Sequence, residues 1–139
     1  MSTYSPWADL SARPDLTLEW APLVGRLGEY VHGRRLIRLR RDLPRRVMRS
    51  VLAHELRHAD AGDVLTANVR ANLRQEQRAD REAARLLIDV RDLGEALALH
   101  DWHRSAAAVE LRVSDHLLGV RMGNLHPAER HYLRRRLGD

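Results

Sequence analysis

Two histidines stand four residues apart in a segment that has the spacing of an amphipathic helix. Residues 54–58 read His-Glu-Leu-Arg-His. Pro44 stands where a helix would begin and Gly62 where it would end, because proline is tolerated in a first helical turn and glycine closes a last one. Residues four apart lie on the same helical face, one turn from each other. Both imidazoles can therefore reach one metal ion, and the sequence predicts a helix that carries a metal site.

Glu55 follows the first histidine and would lie beside that ion without binding it. A divalent metal makes water more acidic, and a neighbouring carboxylate can accept the released proton. A purely structural metal site has no use for such a carboxylate. His-Glu-x-x-His on a helix is therefore typical of hydrolytic metal centres.

A third protein ligand is predicted at Glu76. A second helix is expected from about Gln75 to Val90, and Glu76 at its start could face the histidines. Asp80 follows one turn later on the same face, where it could hold the other ring nitrogen of a ligand histidine. Arginines surround both carboxylates in the sequence. The alternative that Glu76 and Asp80 lie on a solvated face and only form ion pairs therefore stays open.

The composition restricts the ligands and the core. Cysteine is absent, so His, Asp and Glu are the available ligands, and zinc held by nitrogen and oxygen is the expected cofactor. Aromatic residues make up 4% of the 139 residues and phenylalanine is absent. The core must then be built mainly from Leu, Val, Ile and Ala, which favours helices, and the length suits a single domain.

The pattern along the chain predicts an α+β fold. Residues 16–20 alternate as a strand does, and residues 27–39 read as a hairpin around His32 and Gly33. We expect a small antiparallel sheet of about three strands, packed on the helix pair that carries the metal site. The predicted divisions are an irregular N-terminal arm (1–15), the sheet (16–40), the zinc-site helices (44–92) and a helical tail (95–139).

Charge and terminal sequence bear on location and partners. The net charge is +5, and all 24 residues counted as lysine or arginine are arginines. A GC-rich genome explains this preference for arginine most simply. The alternative is that the arginines contact nucleic acid or an acidic protein. The residues from Met1 to Trp7 lack a basic start followed by an apolar run, and no apolar stretch approaches the length of a membrane span. A cytoplasmic location without membrane contact is expected.

Three segments of the sequence resemble the ImmA/IrrE family of zinc metallopeptidases. They are Leu-Ala-His-Glu-Leu-Arg-His at 52–58, Glu-Gln-Arg-Ala-Asp at 76–80 and Ala-Ala-Arg-Leu-Leu-Ile at 83–88, and the likeness covers about residues 27–125. It implies a gluzincin-like zinc site with His54, His58 and Glu76 as ligands and Glu55 as general base. It also implies a protein substrate of the repressor type, as in bacterial, phage and integrative-element members. Arg57 departs from the small residue usual there and is expected to bring a charge near the site.

Other functions and residues stay open at this stage. The chain could be a zinc-stabilised module that binds DNA or a transcription factor, with vestigial hydrolysis, or a hydrolase of small amides. Residues 106–122 read like a helix-turn-helix, although apolar residues in the second helix favour packing against the rest of the chain. The donor to a developing oxyanion could be His32, His100, His103 or Tyr30. The oligomeric state is not predicted.

Nucleic-acid binding is predicted to be weak and nonspecific, because the run Arg134-Arg135-Arg136 supplies charge without a polar recognition helix. Binding of duplex DNA, followed by fluorescence anisotropy, should weaken steeply as salt rises and should not depend on DNA sequence. Tight, sequence-selective binding at physiological salt would favour the DNA-binding alternative instead.

Overall fold

This computed structural model describes residues 4–138 of the chain. They contain seven helices, three strands and one 3-10 turn. In chain order they are α1 (Pro6–Ser11), β1 (Thr17–Trp20), β2 (Gly28–Val31), the 3-10 turn (His32–Arg34), β3 (Leu36–Leu39), α2 (Arg45–Ala61), α3 (Val69–Leu87), α4 (Val90–Leu99), α5 (Arg104–Leu111), α6 (Asp115–Gly123) and α7 (Pro127–Leu137). The predicted α+β class, with a three-stranded sheet and a helical C-terminal region, is confirmed. Residues 1–3 of the predicted arm and residue 139 of the predicted tail lie outside the described part. None of the described helices has both the length and the apolar character needed to cross a lipid bilayer.

The sheet is mixed, with strand order β1-β3-β2. The predicted hairpin of β2 and β3 is antiparallel, with Tyr30 opposite Ile37. In contrast, β1 runs parallel to β3, with Leu18 also opposite Ile37, which corrects the expectation of a wholly antiparallel sheet. The chain reverses direction twice between β1 and β3, so the two strands end up parallel. Because Leu36, Ile37 and Leu39 are the buried strand residues, β3 takes the central position.

The N-terminal arm contains a helix where the sequence analysis expected irregular structure. Ser5 accepts a hydrogen bond from the backbone N–H of Ala8 at 3.2 Å, and Pro6 occupies the first helical position. A serine cap followed by proline is a recognised helix start. Short helices without a strong apolar period give little other signal, which is why α1 was missed.

Arg57 faces α1 and not the predicted metal site. Its guanidinium donates to Asp9 at 2.5 Å and to the hydroxyl of Tyr4 at 3.1 Å, and it pairs with Asp60 at 2.8 Å. The expectation that it brings a charge near the site is therefore wrong. At about 100° per residue, Glu55 and position 57 lie on opposite flanks of the histidine face of α2, so one faces the sheet and the other faces α1.

The second site helix begins earlier and ends earlier than expected. Asn68 caps α3, so the helix starts at Val69 and includes residues before Gln75 that had no assignment. It ends at Leu87, short of the predicted Val90, because the Asp89 side chain caps the separate helix α4. Glu76 consequently lies in the interior of α3.

Two apolar clusters hold the site helices in place. One joins the sheet to α2 and includes Ile37, Leu39, Leu52 and Leu56. The other joins α3 to the tail and includes Ala83, Leu87, Leu97, Leu117 and Leu118. The second helix of the helix-turn-helix-like segment therefore turns its leucines toward α3.

A buried ion pair fixes the end of the tail. Arg121 is 3% exposed and donates to the backbone oxygen of Ile88 at 2.8 Å and to both carboxylate oxygens of Glu129 at 3.0 and 2.6 Å. The hydrogen bonds from Arg121, with further help from Arg85, lower the pKa of Glu129 from 4.5 to about 2. Because the folded-state pKa lies below the unfolded one, the stabilisation is complete above pH 4.5 and is lost as pH falls toward 2.

Glu129→Gln should lower the free energy of unfolding at pH 7 by about 3 kcal/mol, because it leaves the charge of Arg121 buried without its counter-ion. Urea unfolding of both proteins measures this, and the gap should narrow as pH falls below about 4.5. Glu95→Gln is the matched control, since Glu95 also pairs with an arginine, Arg136, but at the surface. Equal effects of the two variants would contradict the role given to burial.

Candidate metal centre

The site begins with three side chains on one helix. His54, Glu55 and His58 on α2 bring one potential ligand atom each within 4.8 Å of the others. The two histidines point their Nε2 atoms at each other across 3.0 Å. Packing of the sheet on Leu52 and Leu56 sets the rotation of α2 that turns this face toward α3.

Glu76 on α3 completes a group of three converging atoms. Its Oε2 lies 3.1 Å from Nε2 of His54 and 2.5 Å from Nε2 of His58. The structure therefore brings together the two histidines and the glutamate that the sequence analysis singled out. Their arrangement gives two nitrogen atoms and one oxygen atom around a common point.

A carboxylate holds the remaining nitrogen of each histidine. Asp80 Oδ1 lies 2.7 Å from Nδ1 of His54, at the position expected for this residue. Asp63 Oδ2 lies 2.7 Å from Nδ1 of His58. Sequence reasoning missed Asp63, although it directly follows Gly62, whose left-handed conformation turns the chain back so that the Asp63 N–H donates to the His58 carbonyl.

Each of these carboxylates has a further donor behind it. His116 on α6 lies with Nε2 2.8 Å from Asp80 Oδ2, and Arg78 on α3 pairs with Asp63. Hydrogen bonds from His54 and His116 outweigh the burial of Asp80 and lower the pKa of that carboxyl. Neither donor was anticipated, because His116 lies far along the chain and Arg78 is one of many arginines.

The donor set fits a metal cation. When each Nδ1–H donates to its aspartate, both Nε2 atoms carry lone pairs, and these point at each other and at a carboxylate oxygen. Such a group is stable only with positive charge at its centre. Burial disfavours the charged form of His54, but hydrogen bonds to Asp80 and Glu76 outweigh the effect of burial and raise the pKa of His54 to about 10. Hydrogen bonds from the two histidines hold the pKa of Glu76 well below its usual range.

An open cleft of about 530 Å³ leads to this centre. One wall is formed by β2 and the 3-10 turn and the other by the loop before α3 and by α3 itself, and Glu55, His58 and Glu76 line it as well. Of the four candidate oxyanion donors, Tyr30 on β2 and His32 in the 3-10 turn line the cleft.

His100 and His103 face other parts of the fold. His103 caps α5, and His100 lies 3.2 Å from Glu110. Neither histidine lines the cleft.

His32 lies at the end of a chain of polar contacts that runs from Arg35 through Tyr30. Arg35 donates to the hydroxyl oxygen of Tyr30 at 2.6 Å, and that hydroxyl lies 2.7 Å from Nδ1 of His32. Because the guanidinium is only a donor, the hydroxyl proton of Tyr30 is available to Nδ1 of His32. When Nδ1 accepts that proton, the N–H of the ring lies on Nε2.

Comparison with known proteins places the chain in a family. Residues 18–122, more than half of the chain, match the family model of the M78 peptidases, described as an IrrE N-terminal-like domain. The chain belongs to this family. A search of curated proteins and a search of solved structures each found no match. The M78 match confirms the resemblance recognised in the sequence and makes the chain a metallopeptidase-type hydrolase with a metal-binding His-Glu-His group.

Glu55 has the environment of a proton acceptor in this M78 peptidase. Only 5% of the residue is exposed, although the side chain also lines the cleft. Burial raises the pKa of Glu55 from 4.5 to about 7, and the neighbouring histidines oppose the rise. A carboxylate poised near neutral pH is suited to accept and return a proton.

Proposed function

We propose that this protein is a zinc-dependent endopeptidase that cleaves a specific protein substrate. The observation that carries the proposal is the convergence of Nε2 of His54, Nε2 of His58 and Oε2 of Glu76 beside the buried Glu55. Two nitrogens and one oxygen from the protein, with a fourth position facing a cleft, are the usual donor set of catalytic zinc. Asp80 and Asp63 would orient the two histidines.

In the proposed reaction Glu55 moves a proton. Zinc, when bound, polarises the substrate carbonyl and makes water more acidic. Glu55 accepts one proton from that water as its oxygen bonds to the carbonyl carbon. The carboxyl group then gives the proton to the departing nitrogen as the C–N bond breaks, which regenerates the carboxylate.

The edge of the sheet is evidence for a substrate that binds in an extended conformation. In the described part of the chain β2 is an edge strand of the sheet, and it lines the cleft. It follows α2 past the metal centre, because Gly28 lies against Val51, one turn before Glu55, and His32 lies beside Gly62, one turn after His58. A peptide paired with β2 would cross the centre. In that position the Nε2–H of His32 would donate to the developing oxyanion.

The family resemblance supports the substrate class. We infer that the substrate is a DNA-binding regulator of the repressor type and that cleavage occurs in the cytoplasm, where such regulators act. Nucleic acid itself would contribute only weak, nonspecific contacts through surface arginines. Membrane contact plays no part in the proposed reaction.

Purified protein should contain about one zinc ion per chain. His54→Ala or His58→Ala should abolish zinc binding, and Glu76→Ala should weaken it strongly, as measured by metal analysis and chelator competition. His131→Ala is the matched control, because His131 is exposed on α7. Full zinc affinity in Glu76→Ala together with loss in His100→Ala or His103→Ala would show that the third ligand is assigned wrongly.

Glu55→Gln should retain zinc and fold normally, because glutamine keeps the size and hydrogen-bonding capacity of glutamate. Peptide cleavage should fall by about 10² to 10⁴-fold, since glutamine cannot accept a proton from water. Zinc content and cleavage are to be measured on the same preparation, with Glu110→Gln as a control away from the cleft. Unchanged cleavage would remove Glu55 from the mechanism, and lost zinc would make it a ligand or structural residue.

A further inference from the structure

The face of α3 that carries Glu76 continues past the metal centre as an apolar stripe. Its apolar members are Val69, Leu73, Ala83 and Leu87, and they lie on the same helical face as Glu76 and Asp80, because all six positions recur every three or four residues. The end of the stripe, Ala83 and Leu87, is buried in the core, whereas its start is open to solvent, with Val69 78% and Leu73 54% exposed. The first turns of α3 therefore present uncovered aliphatic side chains on the face that leads to the centre.

The loop before α3 adds two more such side chains. Val64 is 49% and Leu65 83% exposed, and both line the cleft together with Glu55 and His58. The loop follows directly from Asp63, the partner of His58. Val64 and Leu65 line the cleft, whereas Val69 and Leu73 lie on the first turns of α3 and do not line it. We call these four residues together the aliphatic rim.

Hydrogen bonds hold the rim in this exposed arrangement. Three of them join Thr66 and Asn72: N–H to Oδ1 at 3.0 Å, Oγ1 to Oδ1 at 2.9 Å and Nδ2 to the Thr66 carbonyl at 2.8 Å. Asn68 also caps α3 by accepting from the N–H of Ala71 at 3.0 Å. The polar residues of the loop are thus used to fix its backbone, and the aliphatic ones are left at the surface.

The composition of the rim indicates what can bind there. Residues 64–69 read Val-Leu-Thr-Ala-Asn-Val and contain no charge, in a chain of which 31% of residues are charged. An uncharged, ordered aliphatic surface gains little from a polar partner and gains free energy when an apolar side chain covers it.

We propose that the aliphatic rim binds an apolar side chain of the substrate, within about three residues of the bond that is cut. The inference rests on the proposed peptidase function and adds a substrate preference to it. The helical rise of about 1.5 Å per residue places Leu73 about 4.5 Å and Val69 about 10 Å before Glu76, measured along the axis of α3. An extended peptide advances about 3.3 Å per residue and its side chains alternate between two faces, so a side chain that reaches the rim belongs to one of the first three residues on one side of the scissile bond.

Cleavage of a defined peptide library by the zinc-loaded full chain tests the preference. Mass spectrometry of the products should show leucine, isoleucine, valine, methionine or phenylalanine enriched at one position within three residues of the cut. Leu65→Asp should reduce cleavage of the preferred peptides at least about ten-fold, because it removes apolar contact and adds a charge. Its zinc content and melting temperature should equal those of the wild type, since Leu65 is exposed.

Leu99→Asp is the matched control. Leu99 is 68% exposed at the end of α4 and does not line the cleft. This variant should cleave the library as the wild type does. An equal loss in Leu99→Asp and Leu65→Asp would show an effect of added charge alone and would overturn the inference.

A binding measurement makes the test independent of turnover. Calorimetry with two peptide hydroxamates that differ only in one residue should give at least about ten-fold tighter binding of the leucine compound than of the aspartate compound to the zinc-loaded protein. Leu65→Asp should remove the difference. Equal affinities in the wild type, or a dimer in sedimentation that Leu65→Asp dissociates, would overturn the inference.

Failure of the inference can be told from failure of the proposed function. If the wild type binds zinc and cuts peptides without an apolar preference, the rim does not select the substrate, while the peptidase function stands. If the wild type takes up no zinc, or takes it up and cleaves neither the peptides nor a repressor-type protein, the proposed function is refuted and the rim proposal falls with it.

Discussion

The convergence of three lone-pair atoms from two helices is the constraint on which the structure depends. Nε2 of His54, Nε2 of His58 and Oε2 of Glu76 lie within 3.1 Å of one another, and they repel unless a cation or protons lie between them. Asp80 and Asp63 fix the other ring nitrogens, so the imidazoles cannot rotate away. The geometry of α2 against α3 is thereby tied to the charge that the site holds.

Much of the remaining fold sets that helix pair. The sheet packs on one side of α2 and contributes the cleft wall, while the tail packs on α3 and extends to the site itself through His116. The tail is held by the buried pair of Arg121 and Glu129, a contact that is costly to break because the arginine charge would remain buried alone. A segment whose sequence resembles a helix-turn-helix thus serves to support the metal centre.

Structural elements whose sequence signal is local and periodic match their predictions. The bounds of α2 follow from Pro44 and Gly62, and α7 was placed by the dipeptide of His126 and Pro127. Features that depend on distant partners or on a single cap differ from their predictions. The start of α3 depends on Asn68, and the parallel pairing of β1 depends on which strand is the most apolar and so takes the centre of the sheet.

By itself the sequence determined which candidate site residues share a helical face: His54 and His58 with Glu55 between them on one helix, and Glu76 and Asp80 one turn apart on the next. Those follow from helical periodicity, which is a property of neighbouring residues. Only the tertiary structure decided that Asp63 and His116 join the site, that Arg57 turns away to α1, and that the Tyr30 hydroxyl lies beside Nδ1 of His32. These outcomes depend on how separate elements pack, and spacing along the chain holds no information about the distance between them.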